Sequence, residues 1–158
     1  DCMQKFIKQI RNISEKIYDE IAGCEERYFQ VALSIELNKK GINFLRETSV
    51  QFFYDKYPLS LFIFDFLIYP CLDLKKKIVI ETKVDTKITD SHRQQLKNYL
   101  RSALLNNHKD VKEINTGMLI NFKKLEKYKD GVNEQPENKV DIEVWELKDS
   151  KFQQLNIT

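Results

Sequence analysis

The sequence predicts an α/β sandwich around a mixed sheet, in the order helix, helix, three strands, helix, strand, strand. Three observations carry that prediction. Apolar residues recur every three or four positions in two N-terminal stretches, the mark of amphipathic helices. Runs rich in Ile, Val, Phe and Tyr between Thr48 and Leu147 have the length and composition of strands. One long helical pattern separates the third strand from the fourth, carrying the chain over to a strand beside the central ones.

In the first helix Phe6, Ile10, Ile13, Ile17 and Ile21 form the apolar stripe, with Lys, Arg and Glu between them and Gly23 as its end. The second runs from about Glu25 to Lys40, with Tyr28, Val31, Ala32 and Ile35 on its buried face and Gly41 closing it. Thr48–Tyr54 reads as a strand, and Asp55-Lys56-Tyr57-Pro58 as the turn that follows. Leu59–Tyr69 is almost continuously apolar, so it is expected to be covered on both faces. After a connection with a basic end (Lys75, Lys76, Lys77), Ile78–Val84 is a second central strand. Thr89 or Asp90 caps a helix that reaches about Asn107, with Leu96, Leu100, Ala103 and Leu104 as its core face. Thr116–Phe122 is a strand, Lys123–Lys139 a charged loop with Gly and Pro, and Val140–Leu147 a last strand expected at the sheet edge. No long exposed apolar stripe marks a self-association face.

At 158 residues the chain suits one domain with a real core. Its net charge of +2 excludes a protein that wraps nucleic acid by charge alone, so any such contact depends on a local patch. The cysteines, Cys2, Cys24 and Cys71, are odd in number and widely spaced, which fits neither a disulfide framework nor a zinc site and points to a reducing, intracellular compartment. The apolar run at Leu59–Tyr69 is too short to cross a bilayer, and no membrane partner is expected.

The chemistry lies where charge interrupts apolar runs. Asp65 sits between Leu61-Phe62-Ile63-Phe64 and Phe66-Leu67-Ile68, where strand packing favours Val or Ile. Glu81 and Lys83, two apart on the next strand, project from one face. The ordinary explanations are an edge aspartate that guards against aggregation and a surface ion pair. Two carboxylates facing each other repel unless a cation lies between them, which favours a metal. An acid beside a lysine suits phosphodiester hydrolysis: oxygen ligands hold a hard cation, and the ammonium orients water or stabilises developing charge. The carbonyl of Thr82 lies between them as a further oxygen. Glu26, early in the second helix, either complements the helix dipole or adds a third carboxylate. His92, Gln95 and Tyr99 form one stripe of the long helix, either a polar boundary or a brace for Lys83 and a contact for phosphate. Two histidines make a His-based zinc centre a poor fit. Lys75–Lys77, with Lys123, Lys124, Lys127 and Lys129, either flank a nucleic-acid path or are simply solvated.

These residues, with Gly23-Cys24-Glu25-Glu26-Arg27-Tyr28-Phe29, Lys40-Gly41-Ile42, Arg46-Glu47, His92-x-x-Gln95-Leu96-x-x-Tyr99 and Gly117–Phe122, resemble the GxxExxY family of the PD-(D/E)XK nuclease superfamily. Phe29 stands at the family's final tyrosine, and Ile63 where relatives often carry arginine. The resemblance implies a restriction-endonuclease-like αβββαβ core over about residues 10–125, followed by a loop to 139 and an added edge strand at 140–147. It implies Glu26, Asp65 and Glu81 as metal ligands, Lys83 as the catalytic lysine and Gln95 as its polar support; with the helix stripe read above, the catalytic set is Asp65, Glu81, Lys83 and Gln95, and Tyr99 and His92 are the substrate contacts. The expected activity is hydrolysis of phosphodiester bonds with Mg²⁺ or Mn²⁺, in DNA first and RNA second. The alternatives are an inactive nuclease-fold subunit or nucleic-acid-binding module in a larger complex with protein partners, and a structural domain with an ion network in its core.

Overall fold

The computed structural model describes residues 1–125 and 136–157. A six-stranded mixed sheet runs in the order β1 (Phe44–Tyr54), β2 (Tyr57–Ile68), β3 (Ile78–Asp85), β4 (Thr116–Lys123), β5 (Val140–Lys148), β6 (Lys151–Leu155). Only β3 and β4 are parallel, and α3 (Asp90–Leu105) makes the crossover that a parallel pair requires. Helices α1 (Cys2–Ile21) and α2 (Glu26–Lys39) cover one face, where Phe6, Ile10, Phe29 and Leu33 meet Phe66, Ile80 and Ile120. Helix α3 covers the other, with Leu96, Leu100 and Ala103 on Leu67, Val79 and Leu119. It lies close to the sheet at Gly117, where an added Cβ would stand 2.5 Å from Leu96 Cδ1.

Helix α1 follows the predicted stripe, capped by the Asp1 carboxylate, which accepts from Gln4 N at 3.2 Å. Helix α2 is rotated about its axis relative to the sequence expectation. Phe29, Leu33, Glu36 and Leu37 are buried, whereas Tyr28, Val31 and Ile35 are about half exposed and Ala32 only partly covered. The helix carries two apolar stripes about 100° apart, and stacking of Phe29 on Phe122, centroids 4.3 Å apart, selects one. Leu104, expected in the core, is exposed at the end of α3.

Three further expectations change. Strand β1 begins at Phe44 rather than Thr48, placing Arg46 and Glu47 inside it. Pro58 lies in β2 opposite Phe53, and the turn is Asp55-Lys56 alone, with Asp55 left-handed at φ 55°. Val140–Lys148 is not the edge strand, because β6 pairs along its outer side. The charged loop expected from Lys123 to Lys139 falls largely on 126–135, outside the described residues.

The largest departure concerns β2. Only its C-terminal part is sandwiched as expected: Phe64, Phe66, Leu67 and Ile68 are buried, while Leu59, Leu61 and Ile63 are exposed. Its pairing with β3 covers just Phe66–Ile68 against Ile78–Ile80, and the remainder projects as a two-stranded ribbon with β1. At the junction Glu47 takes φ 55°, opposite Asp65 in a register that steps from Arg46↔Phe66 to Thr48↔Phe64. Across that kink the packing switches: Phe66 joins the α1/α2 core, whereas Phe64 packs on the α3 side.

Candidate active site

Where β2 leaves β3, the ladder of backbone hydrogen bonds needs new partners. The first residue beyond the paired segment on each strand is acidic, and each carboxylate answers the facing backbone. Asp65 N donates to Glu81 Oε1 at 3.1 Å, and Thr82 N donates to Asp65 Oδ2 at 2.8 Å. The strands therefore remain joined through carboxylates rather than carbonyls. Glu81 is only 3% exposed, and Asp65 is half-buried.

Thr82 extends the cluster toward α2. Its hydroxyl lies 3.1 Å from Asp65 Oδ2 and 3.3 Å from Glu26 Oε1, and it accepts from Gln30 Nε2 at 3.0 Å. Gln30 Oε1 accepts from Arg46 at 3.3 Å, and Arg46 also donates to Ser34 Oγ at 2.9 Å while lying over the Phe66 ring. A guanidinium only donates, so Arg46 turns the Gln30 oxygen toward itself and the amide NH₂ toward Thr82. The Thr82 hydroxyl is thereby left to donate to one of the two carboxylates.

Lys83 opens a second line toward α3. Its ammonium donates to Gln95 Oε1 at 2.7 Å, and Gln95 Nε2 donates to Tyr99 Oη at 3.0 Å. Tyr99 is buried between Phe62 and Phe64. His92 stands apart, at the N-terminus of α3. Its Nδ1 accepts from Thr89 N at 3.2 Å, its own N–H donates to Thr89 Oγ1 at 3.3 Å, and its Nε2 is 3.5 Å from Asp85 Oδ2. That is a capping box, with histidine in the place usually taken by Glu or Gln.

Electrostatics ties these groups together. Burial, and then the neighbouring Asp65 charge, push the Glu81 carboxyl well above its ordinary range, against the opposing pull of the Asp65 N–H and Lys83. Burial and Asp65 likewise raise Glu26, with Lys83 and Thr82 opposing. The Tyr99 phenol is pushed up to about 12 by burial and by Glu81 and Asp65. His92 is lowered by burial and by the Lys83 charge. The site therefore holds two carboxyls, Glu81 and Glu26, that resist ionisation, with one ammonium beside them.

A family model of the PD-(D/E)XK nuclease superfamily matches residues 4–134. The chain belongs to that superfamily. Comparisons with curated proteins and with solved structures each found no match. The six-stranded sheet with helices on both faces is consistent with a PD-(D/E)XK fold.

Members of the PD-(D/E)XK superfamily typically use divalent metals. Among the described residues no group of three or more His, Cys, Asp or Glu side chains converges as a ready metal site. The donor chemistry nevertheless fits a hard cation. Asp65 and Glu81 are adjacent, Glu26 is joined to them through Thr82, all the donors are oxygens, and a cation would offset the burial and the Asp65 charge that raise Glu81 and Glu26.

Of the residues singled out in the sequence, Glu26, Asp65 and Glu81 are joined through Thr82, and Lys83, Gln95 and Tyr99 form a second hydrogen-bonded line whose charge acts on the first. The structure leaves His92 outside the hydrogen-bonded part. It adds the Thr82 side chain, Gln30, Ser34 and Arg46. A signal for two of these was present: Glu26, Gln30 and Ser34 recur every four residues, a polar stripe on an otherwise apolar helix.

Proposed function

We propose that this PD-(D/E)XK domain hydrolyses phosphodiester bonds, in DNA before RNA, with Mg²⁺ or Mn²⁺ held by Asp65 and Glu81 and assisted by Glu26. The observation that carries the reading is the pair of carboxylates in the opening between β2 and β3, with the Lys83 ammonium beside them. The cation would supply charge neutralisation for the acids and for the phosphate that approaches them.

The chain's own residues do the rest. Gln95 holds Lys83 through one N–H, and no other hydrogen-bond partner of its ammonium is present among the described residues. An ammonium has three donors, so the others are free to orient an attacking water or to meet a phosphate oxygen. Tyr99 fixes the Gln95 amide and, with its phenol held neutral, brings no further negative charge. Thr82 holds Asp65 and Glu26 in register, with Gln30 and Arg46 behind it.

The spacing of Gly23 and Glu26 supports a place in the GxxExxY group. Gly23, at φ 90°, turns the chain into α2, and Glu26 on its first turn reaches Thr82. The three free, half-buried cysteines support a reducing, intracellular setting. Among the described residues no helix is long and apolar enough to cross a membrane.

The deciding experiment pairs calorimetry of Mg²⁺ and Mn²⁺ binding with cleavage assays on single- and double-stranded DNA and on RNA. Wild type is expected to bind metal and cut; Asp65→Asn should lose metal binding and cutting, and Lys83→Ala should lose cutting alone. Cleavage retained by both variants would overturn the mechanism. A second reading, a non-catalytic subunit docking on protein partners, draws on the exposed Ile63 beside Asp65, where an apolar side chain cannot grip phosphate. Folded wild type that neither binds metal nor cuts would favour it.

A further inference from the structure

Arg46 is an arginine without an acid. Among the described residues it forms no ion pair: it donates to a serine hydroxyl and to an amide oxygen, and its Nε is buried with no acceptor. A buried donor left without a partner costs stability, so the fold alone gives little reason to keep a guanidinium here. Its stem lies over the Phe66 ring, a contact that an unbranched apolar side chain would largely preserve.

What no apolar side chain can do is fix the direction of the hydrogen bonds that lead from Arg46 to the acids. A guanidinium only donates. Ser34 Oγ accepts from it at 2.9 Å, so the serine's own proton goes to Gln30 O, also at 2.9 Å. Gln30 Oε1 accepts from it as well, so Gln30 Nε2 faces Thr82 Oγ1. Because Thr82 accepts there, its one hydroxyl proton is directed at Asp65 Oδ2 or Glu26 Oε1. The relay therefore runs one way, from a group that only donates to carboxylates that, once ionised, only accept. Asp65 Oδ2 is the nearer of the two to the hydroxyl, at 3.1 Å, and it also accepts from Thr82 N at 2.8 Å. Backbone and side chain of one residue thus hold that oxygen before any cation is present.

We propose that Arg46 is a positioning residue for the cation site: acting through Gln30 and Thr82, it holds Asp65 and Glu26 ready for a divalent cation that it does not itself touch. This role rests on the metal-dependent reading proposed above, and adds to it a cationic side chain that strengthens cation binding. The sign of its effect sets the role apart. As a bare charge, Arg46 repels a nearby cation, and removing it tightens binding. As a positioning residue it does the reverse. Without it the Gln30 amide is free to turn, its oxygen takes the Thr82 proton, and the carboxylates lose a fixed donor. Acids that must be ordered as the cation arrives bind it less tightly.

Calorimetry with Mg²⁺ or Mn²⁺ alone, without nucleic acid, tests this on wild type, Arg46→Met, Gln30→Met and the double variant. Methionine keeps an unbranched stem at both positions, and circular dichroism should show the same fold throughout. Arg46→Met is expected to weaken cation binding about tenfold, as removal of groups behind metal ligands commonly does. Gln30→Met should weaken it by a similar factor, and the double variant no more than Gln30→Met alone, because the arginine acts through the amide. Arg46→Lys, which keeps a donor and the charge, should recover part of the affinity. Tighter or unchanged binding by Arg46→Met would overturn the proposal. So would losses that multiply in the double variant, which is also what a merely loosened fold produces. Wild type that binds neither cation would sink the metal-dependent reading itself, and this role with it.

Discussion

Helix α3 touches two charged networks, built in opposite senses. Toward β5, Arg93 clasps Glu143 with two bonds of 2.8 and 2.7 Å, and Trp145 Nε1 adds a third donor at 2.8 Å. Glu143 is held below its ordinary range, chiefly by the Arg93 hydrogen bond and against desolvation, and Arg93 is raised in turn. Toward β3, Gln95 and Tyr99 support Lys83 beside Glu81 and Asp65, where burial and then the Asp65 charge raise Glu81 instead. In the first network the Arg93 guanidinium meets both its acids directly, Glu143 through two bonds and Asp90 at 2.7 Å. The second places acids together with too little compensating charge, an arrangement that costs stability unless a further cation arrives. That contrast separates an ion pair serving the fold from a cluster suited to chemistry.

The comparison can be broken or sharpened by substitution. The largest effect is expected for Lys83→Ala: cleavage by the proposed activity falls about 10²–10³-fold with little change in melting temperature, as measured by single-turnover assays and thermal melts. A loss of stability of similar weight to that of the Arg93 network would mean that Lys83 is structural after all. Glu143→Ala should do the reverse, lowering stability by about 1–3 kcal/mol in urea titration while leaving metal binding intact.

Next comes pH. The Glu143 carboxyl is held low in the fold, so its contribution is full above the ordinary carboxylate range and fades as pH falls through the lowered value. The Glu81 carboxyl is held high, so its ionisation weakens the fold as pH rises through the raised value. Without metal, Glu81→Gln should therefore stabilise the protein at neutral pH, read as a higher urea midpoint, with the gain closing toward acid pH. Added Mg²⁺ should stabilise wild type and not this variant. Thr82→Val, which leaves the Gln30 NH₂ without its acceptor and Asp65 and Glu26 without the shared hydroxyl, is expected to cost on the order of 1 kcal/mol, read as a shift in the urea midpoint.

Much of this was legible in the chain. Asp65 and Glu81 announce themselves because a carboxylate in a strand of Phe, Ile and Leu has a local cost visible without coordinates. Lys83 follows from period two, and Gln95 and Tyr99 from helical spacing. The face of α2 was not legible, because Tyr28, Val31 and Ile35 match a helical stripe as well as Phe29, Leu33 and Leu37 do, and only Phe122 on a distant strand distinguishes them. Nor was the bare face of β2. A continuous apolar run reads as doubly covered, and nothing within it says that pairing with β3 ends at Phe66.

By itself, then, the sequence determined the succession of helices and strands, the acid–acid–lysine set and the superfamily, because periodicity and misplaced charge are properties of short segments. The tertiary structure alone decided that β2 parts from β3 at Asp65, that Arg46 and Gln30 reach the acids through Thr82, and that Leu59, Leu61 and Ile63 meet solvent. Each depends on which residues face one another across strands far apart in the chain, and pairing of that kind is set by the whole core at once.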